Sequence, residues 1–500
     1  MPDRFGHGAI ILLCLAGTIT TGAAEWFPSG AVPRPGDWLL ARHDAANSAV
    51  TILDHDPPQA ARAWTHQLSR HVFGYRPGMS VWSSAAVGDV GGRAVVAAGS
   101  YDHNLYLFDA AEGNLVWRFT TGNGVYSAPL IWKDGEREWI FVASSDRLIY
   151  GLDAVLGNRR WSRAVAGYQP TLGGSRLSAP CLGLSKGTPA VFVGYRVWDK
   201  SLANSTQSGG LIAVAARSGE RLWQVDFLDN SVSDPVFAVF DDHSYVFAAS
   251  SDGNLRALDA DSGKLLWFHR ETEPIMGAPL FYQARSGPRV IIGSHFGKLR
   301  CLDAHDGREI WSFKTGNWIT GAAALYRSGG RDLVAFGSYD RHLYVLEAES
   351  GRKVFAHLAA GPVYSSPAVV PLEPEPQILY AAWDNRIYCL SGLDGTQLWT
   401  LFTGQPLWDA VAQGDSNWSS PVAARIDGRW MLYHGSYNGV FYAIPLAQAA
   451  TAVGAHPWTN LRFWVTMFLA MAFSGALAFY LDRRRRGRTA VRVDRKSPRE

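Results

Sequence analysis

A ten-residue pattern recurs along this chain at a nearly constant interval, and it constrains the fold more than any other feature. The intervals between the final aromatic residues are 44, 62, 44, 44, 44 and 44 residues. The segments are FDAAEGNLVW (108–117), LDAVLGNRRW (152–161), VAARSGERLW (214–223), LDADSGKLLW (258–267), LDAHDGREIW (302–311), LEAESGRKVF (346–355) and LSGLDGTQLW (390–399). A period near 44 with alternating apolar residues predicts a β-propeller in which each repeat forms one four-stranded blade.

Each repeat carries its own strand and turn signals. An alternating stretch such as residues 99–107 precedes the ten-residue pattern, and a small-residue strand start such as Ser127-Ala128-Pro129 follows twelve residues past the Trp. Asp or Ser near Gly is typical of the tight turn between two outer strands. The recurring Trp is a large, stiff apolar unit that suits packing between neighbouring blades.

The two ends of the repeat region together predict an eighth blade. Ser419-Ser420-Pro421 opens a repeat whose third strand, residues 435–443, has no ten-residue pattern after it. The missing outer strand occurs instead near the N-terminus, at residues 62–68 around Trp64. Closing the ring with strands from both ends removes an exposed sheet edge. We therefore expect an all-β, eight-bladed propeller.

The repeat resembles the tryptophan-docking motif of pyrroloquinoline-quinone (PQQ)-repeat propellers. The leader from Asp37-Trp38 to residues 42–48 (RHDAANS) is similar to the segment that precedes the first blade in quinoprotein propellers, and the resemblance covers about residues 37–446. It implies the propeller fold. That fold is shared by quinone-dependent dehydrogenases, outer-membrane assembly propellers and binding proteins, so it does not by itself imply an activity.

Both ends of the chain carry membrane-related signals. Arg4, the apolar run Ala9 to Gly17 and the small residues 21–24 are typical of a cleaved secretory signal. Residues 463–481 contain no charge and are followed by four arginines at 483–486, which predicts a transmembrane helix with a cytoplasmic C-terminus. A sorting tail that is removed after export is the alternative.

These signals predict a single-pass protein of the inner membrane with its propeller in the periplasm. The expected layout is a signal peptide (1–24), a leader (25–60), the propeller (61–447), a linker (448–461), a transmembrane helix (462–481) and a basic tail (482–500). Residues 482–500 contain nine Lys or Arg and three acids, which gives them a net charge of +6. Because the whole chain has a net charge of +3, the residues before 482 carry −3. This balance gives no reason to expect a nucleic-acid partner.

The cysteine and histidine patterns favour no disulfide and no metal site. Cys301 and Cys389 occupy the same repeat position two blades apart, and Cys181 has no matching partner, so no disulfide is expected. A lipid anchor on Cys14 is rejected because Leu13 precedes it where a small residue is required. The histidines show no ligand spacing.

One face of the propeller, here called the top, is predicted to carry the long loops. It contains the loops from each outer strand to the next blade and the turns between the two middle strands of each blade. The extended loops are expected at residues 69–82, 162–177, 195–210 and 400–418. Long loops on a rigid scaffold are frequently functional.

Aromatic and acidic residues coincide with this face. The candidate binding residues are predicted in blades seven, eight, one and two: Trp82, Tyr126, Tyr364 and Trp418 at the inner-strand mouths, and Tyr101, Asp102, Trp383, Asp384, Tyr437 and Asn438 in the middle-strand turns. Stacking faces with a few polar groups suit a planar or sugar-like ligand, or a partner loop. The alternative is that the aromatic residues pack against adjacent strands and that the aspartates only shape turns.

The leading functional hypothesis is a membrane-tethered, monomeric, non-catalytic scaffold or sensor. It would bind an exported protein partner or a small ligand without a metal or cofactor. The alternative is a PQQ-dependent periplasmic alcohol or sugar dehydrogenase with calcium. The resemblance implies an adjacent cysteine pair for such enzymes, and this sequence contains none.

Overall fold

The computed structural model describes residues 38–39, 50–53, 63–68, 81, 83–135, 137–165, 175–198, 207–228, 232–372, 375–403, 419–436 and 439–447. The expected signal peptide, transmembrane helix and basic tail lie outside these residues. Within them, no helix has the length and apolar character needed to cross a membrane.

The described strands form eight separate sheets, as predicted. Three strands precede the first complete blade: β1 (Trp38–Leu39), β2 (Val50–Leu53) and β3 (Trp64–Gln67). Blades one and two contain β4 (Ala86–Val90), β5 (Arg93–Gly99), β6 (Asn104–Asp109) and β7 (Leu115–Thr120), then β8 (Leu130–Asp134), β9 (Arg137–Ala143), β10 (Leu148–Asp153) and β11 (Arg159–Ala164).

Blades three to five follow the same order, with one additional strand. They contain β12 (Ser175–Leu177), β13 (Cys181–Ser185), β14 (Thr188–Trp198), β15 (Gln207–Ala215) and β16 (Arg221–Leu228), then β17 (Val236–Phe240), β18 (His243–Ala249), β19 (Asn254–Asp259) and β20 (Leu265–Arg270), then β21 (Leu280–Ala284), β22 (Gly287–Gly293), β23 (Lys298–Asp303) and β24 (Glu309–Lys314). The additional strand, β12, pairs with β14 in blade three.

Blades six to eight complete the ring. They contain β25 (Ala324–Ser328), β26 (Arg331–Gly337), β27 (His342–Glu347) and β28 (Lys353–Leu358), then β29 (Ala368–Val370), β30 (Gln377–Ala382), β31 (Arg386–Ser391) and β32 (Gln397–Phe402), then β33 (Val422–Ile426), β34 (Arg429–Gly435) and β35 (Val440–Pro445). The outermost strand of blade eight is β3, which pairs antiparallel with β35 from Trp64↔Ala443 to Gln67↔Val440. The predicted closure by the N-terminal strand is confirmed.

The leader adds two strands that the sequence did not predict. β1 pairs antiparallel with β8, and β2 pairs parallel with β33. Both lie on the inner edge of their sheets, because the first strands of neighbouring blades contact one another around the central axis. β1 and β2 therefore lie on the channel side of blades two and eight.

The core lies between the blades, and the repeat Trp organises it. Six of these Trp residues donate the indole N–H to the Ala carbonyl of the next blade's pattern, as in Trp267 Nε1 to Ala304 O at 3.0 Å. The same bond joins Trp64 to Ala110, Trp117 to Ala154, Trp161 to Ala216, Trp223 to Ala260 and Trp311 to Ala348. The motif thus encodes a contact between blades.

The Gly of the pattern makes room for this Trp. Gly307 has a φ of +73°, and a Cβ atom there would lie 2.6 Å from the indole of Trp267. A side chain at this position meets both a strained backbone conformation and a steric clash. This double requirement explains why the pattern always contains Gly.

The cysteines of the propeller lie inside these interfaces. Cys181, Cys301 and Cys389 are free and buried. Burial raises the pKa of Cys181 and of Cys301 to about 12, so both remain protonated thiols at neutral pH.

Candidate functional site at the channel mouth

A cavity of about 190 Å³ lies where the first strands of all eight blades begin, on the top face. We call it the channel mouth. Every blade contributes the residue before the Pro position of its repeat: Ser84, Ala128, Ala179, Asp234, Ala278, Ala322, Ser366 and Ser420. The volume is below the 300–1,000 Å³ of typical drug-sized ligand sites, so the cavity itself suits a small group.

Hydrogen bonds between neighbouring blades hold part of this ring together. In four blades the backbone N–H of the ring residue donates to the side-chain oxygen of the next blade's ring residue. The pairs are Ala179 to Asp234 Oδ1 (2.7 Å), Ala322 to Ser366 Oγ (2.8 Å), Ser366 to Ser420 Oγ (3.1 Å) and Ser420 to Ser84 Oγ (3.1 Å). These bonds fix the positions of the inner strands around the cavity.

The described aromatic residues of the predicted site form two pairs near the cavity. Tyr101 and Tyr126 meet edge to face at 5.1 Å, whereas Tyr364 and Trp383 stack at 6.0 Å with an interplanar angle of 25°. Each pair joins an inner-strand mouth to a middle-strand turn, so these two kinds of loop share one face, as expected. Trp82, Trp418, Tyr437 and Asn438 lie outside the described residues, and their role stays a prediction.

Further aromatic residues extend the second pair, and sequence reasoning left them out of the site. Tyr339 lies 4.8 Å from Trp383, Trp318 lies 5.3 Å from Tyr339, and the ring of His295 stacks on Trp318 at 4.7 Å. We call His295, Trp318, Tyr339, Trp383 and Tyr364 the aromatic arc. It covers blades five to seven, whereas the prediction was centred on blades seven, eight, one and two.

The arc ends in exposed apolar surface. Trp318 is 45 % exposed, and Phe296 in the adjacent turn is 51 % exposed. Phe296 takes the repeat position that holds Asp in blades one, two, four, six and seven. This departure from the repeat is the sequence feature that could have indicated blade five as part of the site.

Arg176 brings positive charge to the cavity. It belongs to β12, which comes from the long loop predicted at 162–177, and it pairs in register with Arg196 of β14. The described ends of the predicted loop at 195–210 are paired strands, because β14 extends to Trp198 and β15 begins at Gln207.

Arg176 affects the pKa of two tyrosines. Burial raises the pKa of Tyr364, and a hydrogen bond from Arg176 opposes that rise. Burial and a hydrogen bond with Tyr101 raise the pKa of Tyr126, and the charge of Arg176 again acts in the opposite direction. Both hydroxyls therefore stay neutral beside a permanent cation.

The predicted acidic residues have structural partners. Asp102 accepts hydrogen bonds from the Tyr106 hydroxyl (2.6 Å) and from the backbone N–H of Asn104 (3.1 Å). Asp384 accepts in the same way from the Tyr388 hydroxyl and the N–H of Arg386. Asp146 with Tyr150 and Asp340 with Tyr344 repeat this arrangement. It supports the turn-forming interpretation of Asp102 and Asp384.

The donor set at the channel mouth differs from a calcium site. Calcium takes six to eight oxygen ligands, usually with several carboxylates. Among the described residues that line the cavity, Asp234 is the one carboxylate, and its Oδ1 already accepts the N–H of Ala179. No cluster of three or more His, Cys, Asp or Glu side chains able to hold a metal occurs in the described part of the chain. These residues do not fit a PQQ–calcium pair.

The fold and this geometry define an eight-bladed, tryptophan-docked β-propeller with a polar, aromatic-rimmed channel mouth. The family model described as outer membrane protein assembly factor BamB matches residues 48–205, 207–286 and 283–497. The chain belongs to this family of PQQ-like repeat propellers. A search of curated proteins found no match.

Solved structures with the same fold differ widely in kind. Quinohemoprotein alcohol dehydrogenase from Comamonas testosteroni aligns with a TM-score of 0.61 at 14 % identity, over 83 % of this chain and 81 % of that one. A europium-containing methanol dehydrogenase aligns at 0.58 and 14 %, over 81 % and 91 %. The computationally designed Ika8 protein aligns at 0.52 and 14 %, over 78 % and 99 %. At such identities the similarity concerns the fold alone.

Proposed function

We propose that this protein is a non-catalytic binding scaffold that holds an exported partner protein against the top face of its propeller. The observation that carries the proposal is the aromatic arc, which ends in the exposed rings of Trp318 and Phe296 beside the channel mouth. Exposed aromatic residues on a rigid surface are typical anchors of protein interfaces. The name of the family, an assembly factor, favours a protein over a small molecule as the main partner.

Site-specific photo-crosslinking of the full-length protein tests this proposal. A photoreactive phenylalanine analogue replaces Trp318 in one variant and Leu156 in the control. Leu156 is 69 % exposed and lies in the turn between β10 and β11, on the opposite face. We expect one discrete crosslinked partner from position 318 and none from position 156.

A second measurement tests the energetic role of the arc. Trp318→Ala and Tyr339→Ala should each lower recovery of the crosslinked partner about tenfold or more when the probe replaces Phe296, since aromatic anchors dominate interface energies. Equal crosslinking from both faces, or full recovery in both alanine variants, would contradict the proposal.

We also propose that the chain is exported and tethered by residues 462–481, with the propeller in the periplasm. The support is the uncharged stretch 463–481 and the arginines that follow it. Protease added to spheroplasts should degrade the propeller and leave a C-terminal epitope protected. A protected propeller, or a protein released without detergent, would argue against this arrangement.

The proposed scaffold works without a bound quinone. Adding PQQ and calcium to the full-length protein, followed by desalting, should leave no quinone absorbance and no dye-linked alcohol oxidation. Retained quinone together with such oxidation would contradict the scaffold proposal and favour the PQQ-dependent dehydrogenase.

A further inference from the structure

A buried hydroxyl group without a partner lines the channel mouth. Thr320 is 8 % exposed, and its Oγ1 atom has no hydrogen-bond partner among the described residues. Buried polar atoms are nearly always hydrogen-bonded in folded proteins. The Oγ1 atom itself has almost no accessible surface, so a molecule bound in the cavity would supply the missing partner once the Thr320 side chain rotates about χ1.

The backbone offers additional donors at the same level. Four ring N–H groups donate to the next blade's side-chain oxygen, but alanine occupies the acceptor position at Ala128, Ala179, Ala278 and Ala322. The ring residues that precede these alanines are Ser84, Ala128, Asp234 and Ala278, and a methyl group accepts no hydrogen bond. The next blade's ring residue therefore supplies no side-chain acceptor to these four N–H groups.

An arginine side chain at the channel mouth also favours an acceptor. Arg176 is exposed, lines the cavity and interacts with the Tyr364 hydroxyl. A guanidinium group presents a planar fork of donors that matches a carboxylate. Asp234, the described carboxylate of the lining, keeps its negative charge while its Oδ1 accepts the N–H of Ala179, so the described lining carries one cation and one anion.

From these donors we propose that the channel mouth binds a carboxylate group, either of a small organic acid or of a polypeptide C-terminus. This proposal rests on the binding function proposed above and adds the chemistry that the site recognises. The cavity of about 190 Å³ admits one small residue or ring. Tyr126 and Tyr364 line it and supply apolar faces beside the hydrogen-bond donors.

Calorimetric titration of the full-length protein with neutral and anionic probe pairs tests the proposal. The pairs are benzoate with benzamide, and N-acetylphenylalanine with its C-terminal amide. We expect the acids to bind and the amides to bind at least tenfold more weakly, because only the acids pair with a guanidinium. A stronger signal from benzoate indicates a free acid as the natural ligand, and a stronger signal from N-acetylphenylalanine indicates a chain terminus.

Two variants and one matched control connect binding to the named residues. Arg176→Gln should weaken binding of the acid about tenfold or more, whereas Arg196→Gln, its register partner outside the cavity lining, should not. Thr320→Val keeps the shape of the side chain and should weaken binding severalfold without lowering the thermal midpoint, since the hydroxyl is unpartnered.

Three results would overturn the proposal: no heat from either acid, equal binding of acids and amides, or equal effects of the Arg176 and Arg196 variants. These results leave the scaffold function intact if the Trp318 probe still captures its partner. Conversely, acid binding without a crosslinked partner would refute the scaffold function alone.

Discussion

The indole Nε1 of Trp64 donates a hydrogen bond to the carbonyl oxygen of Ala110 at 3.2 Å, across 46 residues of chain. Through this bond the N-terminal strand β3, which completes blade eight, docks onto blade one in the way that five other repeat Trp residues dock onto their next blades. The closing interface is therefore built like those five.

Loss of Trp64 should open the ring. Trp64→Phe removes the hydrogen bond, which costs about 1 kcal/mol, and Trp64→Ala also leaves a cavity and costs about 3–5 kcal/mol. Urea unfolding measures both changes. Blade six carries Phe355 at the equivalent position, so Trp64→Phe should still fold. An unchanged midpoint in Trp64→Ala would contradict the role of this residue in closure.

Two substitutions distinguish the steric requirement for Gly in the repeat pattern from the requirement for its backbone conformation. Gly307→Ala should destabilise the protein by several kcal/mol, since its Cβ atom would lie 2.6 Å from Trp267. Gly329→Ala is the control, because Gly329 also has a positive φ (+57°) but no atom within 4 Å of a Cβ. We expect about 1 kcal/mol for the control in urea unfolding. Equal losses would show that backbone strain alone requires Gly in the pattern.

His434 should make the protein acid-sensitive. It is fully buried in β34, and both ring nitrogens lack a hydrogen-bond partner among the described residues. Burial lowers its pKa to about 3 from 6.5. Below pH 6.5 the imidazole of His434 binds a proton in the unfolded chain but stays neutral in the folded protein. The free energy of unfolding therefore falls by up to about 1.4 kcal/mol per pH unit until about pH 3.

Removing the imidazole of His434 should reduce the dependence of stability on pH. His434→Ala is suited to the test because the equivalent residues in blades one, four and seven are Ala98, Ala248 and Ala381. Thermal midpoints between pH 4 and 7 should vary less in this variant than in the wild type. Val142→Ala, at the equivalent position of blade two, controls for lost packing and should keep the wild-type slope. A His434→Ala slope equal to that of the wild type would contradict the assignment.

The turn aspartates should affect stability rather than binding. Asp102→Asn leaves one oxygen to accept from both the Tyr106 hydroxyl and the Asn104 N–H, and Tyr106→Phe removes the 2.6 Å hydrogen bond that joins the turn to β6. A double-mutant cycle in urea should therefore give a coupling of about 1–3 kcal/mol. Partner crosslinking from position 318 should be unaffected. Loss of crosslinking in folded Asp102→Asn protein would instead assign this carboxylate to the binding surface.

Repeat spacing made most of the propeller predictable. The Trp interval and the outer strand around Trp64, far from the rest of its blade in the sequence, predicted eight blades and their closure. This was possible because the same ten-residue pattern recurs from blade to blade. The inner-edge strands β1 and β2 escaped prediction. A strand of two to four residues carries no periodic signal, and its partners β8 and β33 lie far away in the sequence.

The candidate site was predictable only in part. The repeat positions predicted that the inner-strand mouths and the middle-strand turns share one face, where Tyr101 contacts Tyr126 and Tyr364 contacts Trp383. A binding role for these residues stays a prediction. Trp318 was missed because it stands two residues before the mouth position of blade six, which Thr320 occupies. His295 was missed because it replaces the Tyr or Trp of the middle-strand turn. The hydrogen bonds that occupy Asp102 and Asp384 could not be read from turn propensity.

By itself, the sequence determined the class of fold, the number of blades and the face that carries the long loops, because these follow from the period and from the alternation of strand direction. Only the tertiary structure decided which residues surround the channel mouth, where the aromatic arc lies, and that Thr320 Oγ1 has no partner among the described residues. These features depend on distances between side chains of different loops and blades, which the sequence spacing does not give: Trp318 and Tyr339 are 21 residues apart, whereas Tyr339 and Trp383 are 44 apart.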